Sequence, residues 1–99
     1  MRYARTSQFR EDVEGLPNEV KRKIPKAFDL FKQDPHHPSL QTNKIRGAMT
    51  RNGEAIWEGR VDQSHRFTFH YRKEKDEDGE TVIVFRRVGP HTVIDIDRE

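Results

Sequence analysis

Apolar residues in the first third of the chain fall at helical spacing: Phe9, Val13, Leu16, Val20, Ile24, Phe28 and Phe31 recur every three or four positions. Such a stripe is one face of an amphipathic helix, or of two in succession. Gly15 and Pro17 divide it, the first as a stop and the second as a restart. The spacing predicts a helix over Ser7–Glu14, with Ser7 as its N-cap, and a second over Asn18–Lys32. Pro25 lies inside the second helix. It removes one amide from the ladder, a cost of about 3 kcal/mol against alanine. The stripe continues past it, which predicts a bend and not a break.

Beyond the proline-bounded loop Asp34–Leu40 (DPHHPSL) the period drops to two. Ala55–Val61, His65–Arg72 and Thr81–Val88 are alternating or continuous apolar runs rich in β-branched and aromatic residues, the mark of strands. Asp62–Ser64 is a tight connection between the first two, and Asp78-Gly79 is a type I′ hairpin signal before the third. Connections this short make an antiparallel meander. Arg2–Arg5 is read as a short edge strand. The fold class expected is α+β: an N-terminal helical hairpin packed on one face of an antiparallel sheet. Ninety-nine residues make a single domain, 1–99.

Alternation within Trp57–Tyr71 (WEGRVDQSHRFTFHY) sorts side chains to two faces. Trp57, Val61, Phe67, Phe69 and Tyr71 turn toward the helices, with Ile83 and Phe85 of the next strand. Glu58, Arg60, Arg66, Thr68 and His70 turn away. Arg87 follows Ile83 and Phe85 in register, at the end of the strand. VGPH (Val88–His91) then places an imidazole just past that end.

Composition narrows the options. Hydrophobic residues are 31% and charged residues 36%, so the core is thin, yet the periodic blocks argue against disorder. Without cysteine there is no disulfide, no thiolate nucleophile and no Cys-based zinc site. His36 and His37 are adjacent, which is poor metal-ligand spacing, and no metal site is expected. MRYARTSQFR lacks the apolar segment of a signal peptide, and no apolar run approaches a membrane span of about 18 residues. A cytoplasmic chain with no membrane partner is expected.

Net charge is only +2, but it is unevenly spread. Arg72–Glu80 (RKEKDEDGE) carries three bases and five acids. In the rest of Lys44–Arg87 the bases Lys44, Arg46, Arg51, Arg60, Arg66, Arg86 and Arg87 face only Glu54, Glu58 and Asp62. That excess suits a polyanion such as RNA. A solvated sheet face would look the same from charge alone.

Arginine forks bind phosphate oxygens bidentately and stay charged, while histidine and a carboxylate exchange protons near neutral pH. RNA supplies its own nucleophile, the 2′-hydroxyl, so a protein need only align it, neutralise the phosphoryl oxygens and move two protons. Arg60, Arg66, His91 and Glu58 could do this with no metal and no cofactor.

These residues also carry a family resemblance. WEGRVDQSHRFTF resembles the central signature of the RelE/ParE toxin superfamily, in particular its RelE and YoeB branch. VGPH is similar to that superfamily's Val-Gly-x-His/Arg ending, and FKQDPHHPSLQTNKIRG to its Pro-x-Leu…Lys-Ile-x-Gly linker. The resemblance spans residues 7 to 95. It implies the toxin of a bacterial toxin–antitoxin pair, with a cognate antitoxin as partner. RelE-like members cut mRNA on the ribosome without metal and leave a 2′,3′-cyclic phosphate. On that implication Arg66 holds the scissile phosphate, Arg60 assists, and His91 is a phosphate ligand or general acid. Glu58 is a candidate base, and Lys44, Arg46 and Arg87 contact mRNA or ribosomal RNA. Two departures stand out. Asp95 occupies the place of a tyrosine in many relatives, and Gly59 that of a second basic residue in some. The alternatives are a gyrase inhibitor like the ParE branch, or a degenerate member that binds RNA without cutting it.

Overall fold

The structure, a computed structural model, describes residues 2–73 and 79–93. A short strand, β1 (Arg2–Arg5), leads into helix α1 (Ser7–Glu14) and helix α2 (Asn18–Gln33). The N-cap of α1 is Thr6 and not Ser7. Thr6 is extended, its Oγ1 accepts from the Phe9 amide at 3.0 Å, and its hydroxyl donates to the Arg86 carbonyl at 2.7 Å. One residue thus caps the helix and ties its start to a strand 80 positions away. The Gly15 amide closes α1 by donating to the carbonyls of Glu11 and Asp12. Helix α2 runs unbroken through Pro25, because Val20, Ile24, Ala27 and Phe31 are buried on both sides of the exposed proline.

A single 3-10 turn (Pro38–Leu40) precedes β2 (Asn43–Met49), which is followed by β3 (Ala55–Arg60), β4 (His65–Lys73) and β5 (Thr81–Pro90). They form one sheet in the order β1-β5-β4-β3-β2. Two expectations need correction. The linker of the resemblance, residues 31–47, runs into β2, an edge strand hidden by a register irregularity between Lys44 and Met49, where Gly47 adopts φ 76°. The sheet is also not wholly antiparallel. β1 lies parallel to β5, Arg2 beside Val82 and Arg5 beside Phe85, because the chain returns to β5 only after crossing the helices and the meander. Gly79 has φ 58°, as the hairpin signal requires, while Asp78 lies outside the described residues.

The helices cover one face. Phe9, Phe31, Phe67, Phe69, Ile83, Phe85 and Val88 are buried there, with Trp57, Val61 and Tyr71 half-buried at the margin. The rings interlock: Phe28 stacks on Phe85 at 4.3 Å and Phe31 meets Phe69 edge-on at 4.9 Å. Each buried aromatic contributes roughly 1.5–3 kcal/mol of transfer free energy. Phe67 reaches its place only because Gly59, its cross-strand partner, has no side chain. A Cβ there would sit 2.4 Å from Phe67 Cζ. The opposite face is not uniformly wet. Ile45, Ala48 and Ile56 form a second small core on the β2–β3 side, and Thr68 and His70 are 0% and 8% exposed. His70, read from alternation as a surface residue, is therefore buried.

Candidate functional site

Arg60 and Arg66 are direct partners across β3 and β4, and Gly89 of β5 completes the row. Directly opposed residues have side chains on one face, so the two guanidinium groups spring from neighbouring points on the face away from the helices. Glu58 lies two residues back on β3, opposite Thr68, and therefore on the same face, about 7 Å along the strand. On the other side of the arginine row the chain turns. The His91 amide donates to the Ser64 carbonyl at 3.1 Å, which pins the exposed histidine beside the β3–β4 turn. The order along the sheet is thus Glu58, then Arg60 with Arg66, then His91.

The turn that carries this row is built on Asp62. Its Oδ1 accepts from the amides of Ser64 and His65, at 2.9 and 2.8 Å, and from His65 Nδ1 at 2.9 Å. Its Oδ2 accepts from Lys23 Nζ at 3.1 Å, which anchors the turn to α2. Burial alone would raise this carboxyl, but the donors from His65, Ser64 and Lys23 outweigh it and hold it at about 2. Arg66 does not pair with the Asp62 carboxylate, as a simple turn salt bridge would require. Its Nη1 donates instead to the carbonyls of Asp62, Gln63 and His65, at 2.9, 3.1 and 3.1 Å. One corner of the guanidinium is fixed to the backbone. Nη2 and Nε have no partner among the described residues.

Other expected site residues lie elsewhere. Arg87 is not in register with Phe85. A bulge between Thr68 and Phe69 shifts the pairing so that Arg87 lies opposite Thr68. Its guanidinium grips Asp12 of α1, Nε to Oδ2 at 2.8 Å and Nη2 to Oδ1 at 3.1 Å, and Oδ2 also accepts the Val88 amide at 3.1 Å. Asp12 thereby seals the edge of β5 beyond the end of β1. Burial pushes the Asp12 carboxyl up, yet the bonds from Arg87 and Val88 leave it below the usual carboxylate value. Lys44 pairs with Trp57 across β2 and β3 and places its ammonium 5.5 Å from that ring, on the helix side. Arg46 is exposed on the irregular part of β2. Neither joins the arginine row. Asp95 lies outside the described residues.

A polar group on the same face went unread in the sequence. Arg86 Nη1 lies 3.3 Å from His70 Nδ1, and His70 Nε2 lies 3.9 Å from Glu54 Oε1, which accepts from Thr50 Oγ1 at 2.7 Å. A guanidinium can only donate, so Nδ1 accepts and the assigned ring proton sits on Nε2, toward Glu54. Strict alternation made this imidazole look solvated, and nothing local in the sequence signals its partners. Among the described residues no three of His, Asp and Glu gather as a metal-ligating set. No helix among them is long and apolar enough to cross a membrane.

No protein-family model matches this chain, and no curated protein matches its sequence. Solved structures do. The YoeB/ParE toxin from Agrobacterium tumefaciens superposes with a TM-score of 0.66 at 18% identity, over 92% of this chain and 99% of that one. This is the RelE-like toxin fold. YafQ from E. coli matches with a TM-score of 0.63 at 13% identity, over 95% of this chain and 98% of its own. The RelB–RelE antitoxin–toxin complex from Methanococcus jannaschii gives 0.61 at 18%, over 94% and 95%. At such identities the likeness establishes the RelE-like fold alone. Within it, the Gly59 departure has a physical cause, since any side chain there would enter the space of Phe67.

Proposed function

We propose that this chain is the toxin of a type II toxin–antitoxin pair and acts as a ribosome-dependent, metal-independent mRNA endonuclease in the cytoplasm. What supports the reading is the cross-strand pair Arg60/Arg66 on one sheet face, with Glu58 two residues before Arg60 on that face and the His91 backbone held beside the β3–β4 turn. Cleavage by the 2′-hydroxyl is an in-line displacement. The base must lie on one side of the phosphorus, the acid on the other, and the cations between them. In this scheme Glu58 takes the 2′-hydroxyl proton as the 2′-oxygen bonds to phosphorus. Arg66, through Nε and Nη2, and Arg60 hold the phosphoryl oxygens as charge grows on them. The bond from phosphorus to the 5′-oxygen then breaks, and His91 protonates the leaving oxygen. The products are a 2′,3′-cyclic phosphate and a 5′-hydroxyl. Each proton transfer contributes on the order of 10²–10⁴-fold.

The backbone anchoring of Arg66 supports the reading, because a guanidinium fixed before substrate arrives loses little freedom on binding. The fold shared with the toxin of the RelB–RelE antitoxin–toxin complex supports a cognate antitoxin as partner. The test is induction of the chain in a bacterial host with primer extension on a translated mRNA. New ends within codons, absent with Arg66→Ala and restored by wild type, are expected. Unchanged cleavage by a folded Arg66→Ala protein removes the mechanism. DNA damage with intact mRNA would replace it with gyrase inhibition, and RNA binding without cleavage would leave only a binding module.

A further inference from the structure

A cavity of about 310 Å³ opens between α2, the 3-10 turn and the end of β3. Lys23, Lys26 and Arg60 surround it, and Leu30, Leu40 and Val61 are among its apolar walls. Among the described residues no carboxylate lines it. Lys23 is already compensated by Asp62 at 3.1 Å. Lys26 is exposed and Arg60 half-buried, and neither has an anionic partner among the described residues. Both line the same cavity, so an anion held there meets one cation from α2 and one from the end of β3. The volume is at the lower end of small-ligand sites, about 300–1,000 Å³. Its size suits one small group.

We infer that this cavity holds a nucleotide of single-stranded RNA next to the bond that is cut, its phosphate between Lys26 and Arg60 and its base against Leu30, Leu40 and Val61. The inference rests on the nuclease reading and extends it, since Arg60 belongs both to the arginine row and to the cavity wall. A strand whose phosphate lies on Arg66 therefore has its next residue led around Arg60 toward α2. An acidic peptide would satisfy the two cations equally well. It would leave the apolar walls unused, and a nucleotide uses both.

The test is carried out on full-length protein bearing Arg66→Ala, which keeps the RNA intact. Binding of a fluorescein-labelled 12-mer oligouridylate is measured against salt for this protein and with Lys26→Glu or Lys26→Gln added. Lys26 is exposed and without a partner among the described residues, so both variants keep the melting curve of their parent. The expected result with Lys26→Glu is about a tenfold loss of affinity and a salt slope shallower by about one. The Lys26→Gln effect should be smaller and in the same direction. Uridine monophosphate should shift the methyl resonances of Leu30, Leu40 and Val61. Unchanged RNA affinity in both variants overturns the inference, as does Lys26-dependent binding of a decaglutamate peptide with none for RNA. The nuclease reading is decided separately, by loss of cleavage in Arg66→Ala against the wild type in cells.

Discussion

Gly59→Ala tests the closest approach made to any glycine among the described residues. The added Cβ would stand 2.4, 2.7 and 3.0 Å from Phe67 Cζ, Cε1 and Cε2. Carbon atoms pack at about 3.5–4.0 Å, so the ring must retreat by about 1 Å. It has nowhere to go: Phe28, Phe31, Phe69 and Phe85 surround it with centroids 5.8, 5.9, 5.8 and 6.0 Å away, and Phe67 is 0% exposed. Overpacking of this kind costs about 1–3 kcal/mol, and the enclosed ring places the cost in the upper half of that range. Alanine recovers about 0.4–1 kcal/mol by restricting the unfolded chain. The net destabilisation is about 1–2.5 kcal/mol, which for a domain of this size lowers Tm by roughly 4–20 °C. Thermal melts followed by circular dichroism measure it, and Phe67→Leu in the same chain provides the control. Leucine lacks the ring tip that collides, so the double variant should be more stable than the two single losses added together. A Gly59→Ala protein melting within 2 °C of wild type, or strict additivity, refutes the packing argument.

Asp12→Ala leaves Arg87 half-buried without its carboxylate and orphans the Val88 amide, so urea unfolding should show a loss of about 1.5–3 kcal/mol, with less for Asp12→Asn. Equal stability of Asp12→Ala and wild type would mean that the β5 edge does not depend on that cap. Acid should weaken the fold through Asp12 and Asp62. Both are depressed in the folded state, so their contributions are complete above the unfolded carboxylate range and vanish as pH falls through the folded values. For Asp62 the window is pH 4 down to 2, and the Tm gap between wild type and Asp62→Ala should narrow across it. A gap unchanged from pH 7 to 2 would contradict the assignment.

Much of this architecture was legible because it obeys simple periods. The helical stripe placed both helices to within a residue, and alternation in Trp57–Tyr71 sorted Phe67 and Phe69 from Arg60 and Arg66 correctly. The misses come from distant contacts that override a local signal and from local breaks in alternation. Ser7 looked like a cap, but the Thr6 hydroxyl can bond Arg86 while its oxygen caps α1. β2 was invisible because Gly47 breaks its alternation, leaving Ile45 and Ala48 buried three residues apart. Arg87 was misregistered by a bulge that no dipeptide announces, and it is held by Asp12, 75 residues away. Of the candidate site, Arg60, Arg66 and Glu58 follow from strand parity. The backbone carbonyls that fix Arg66 depend on the shape of the turn, which parity does not encode.

The parallel pairing of β1 with β5 also dictates a timetable for assembly. Adjacent strands of the meander can zip as soon as they emerge, whereas Arg2 finds Val82 only after the whole intervening chain has been made. At about 5–20 residues per second, several seconds of synthesis separate the first strand from its neighbour. Throughout that interval the Phe85 ring that backs Tyr3 does not yet exist, and the mouth of the helical layer stays open. The pairing of β1 with β5 therefore cannot form until translation has reached β5.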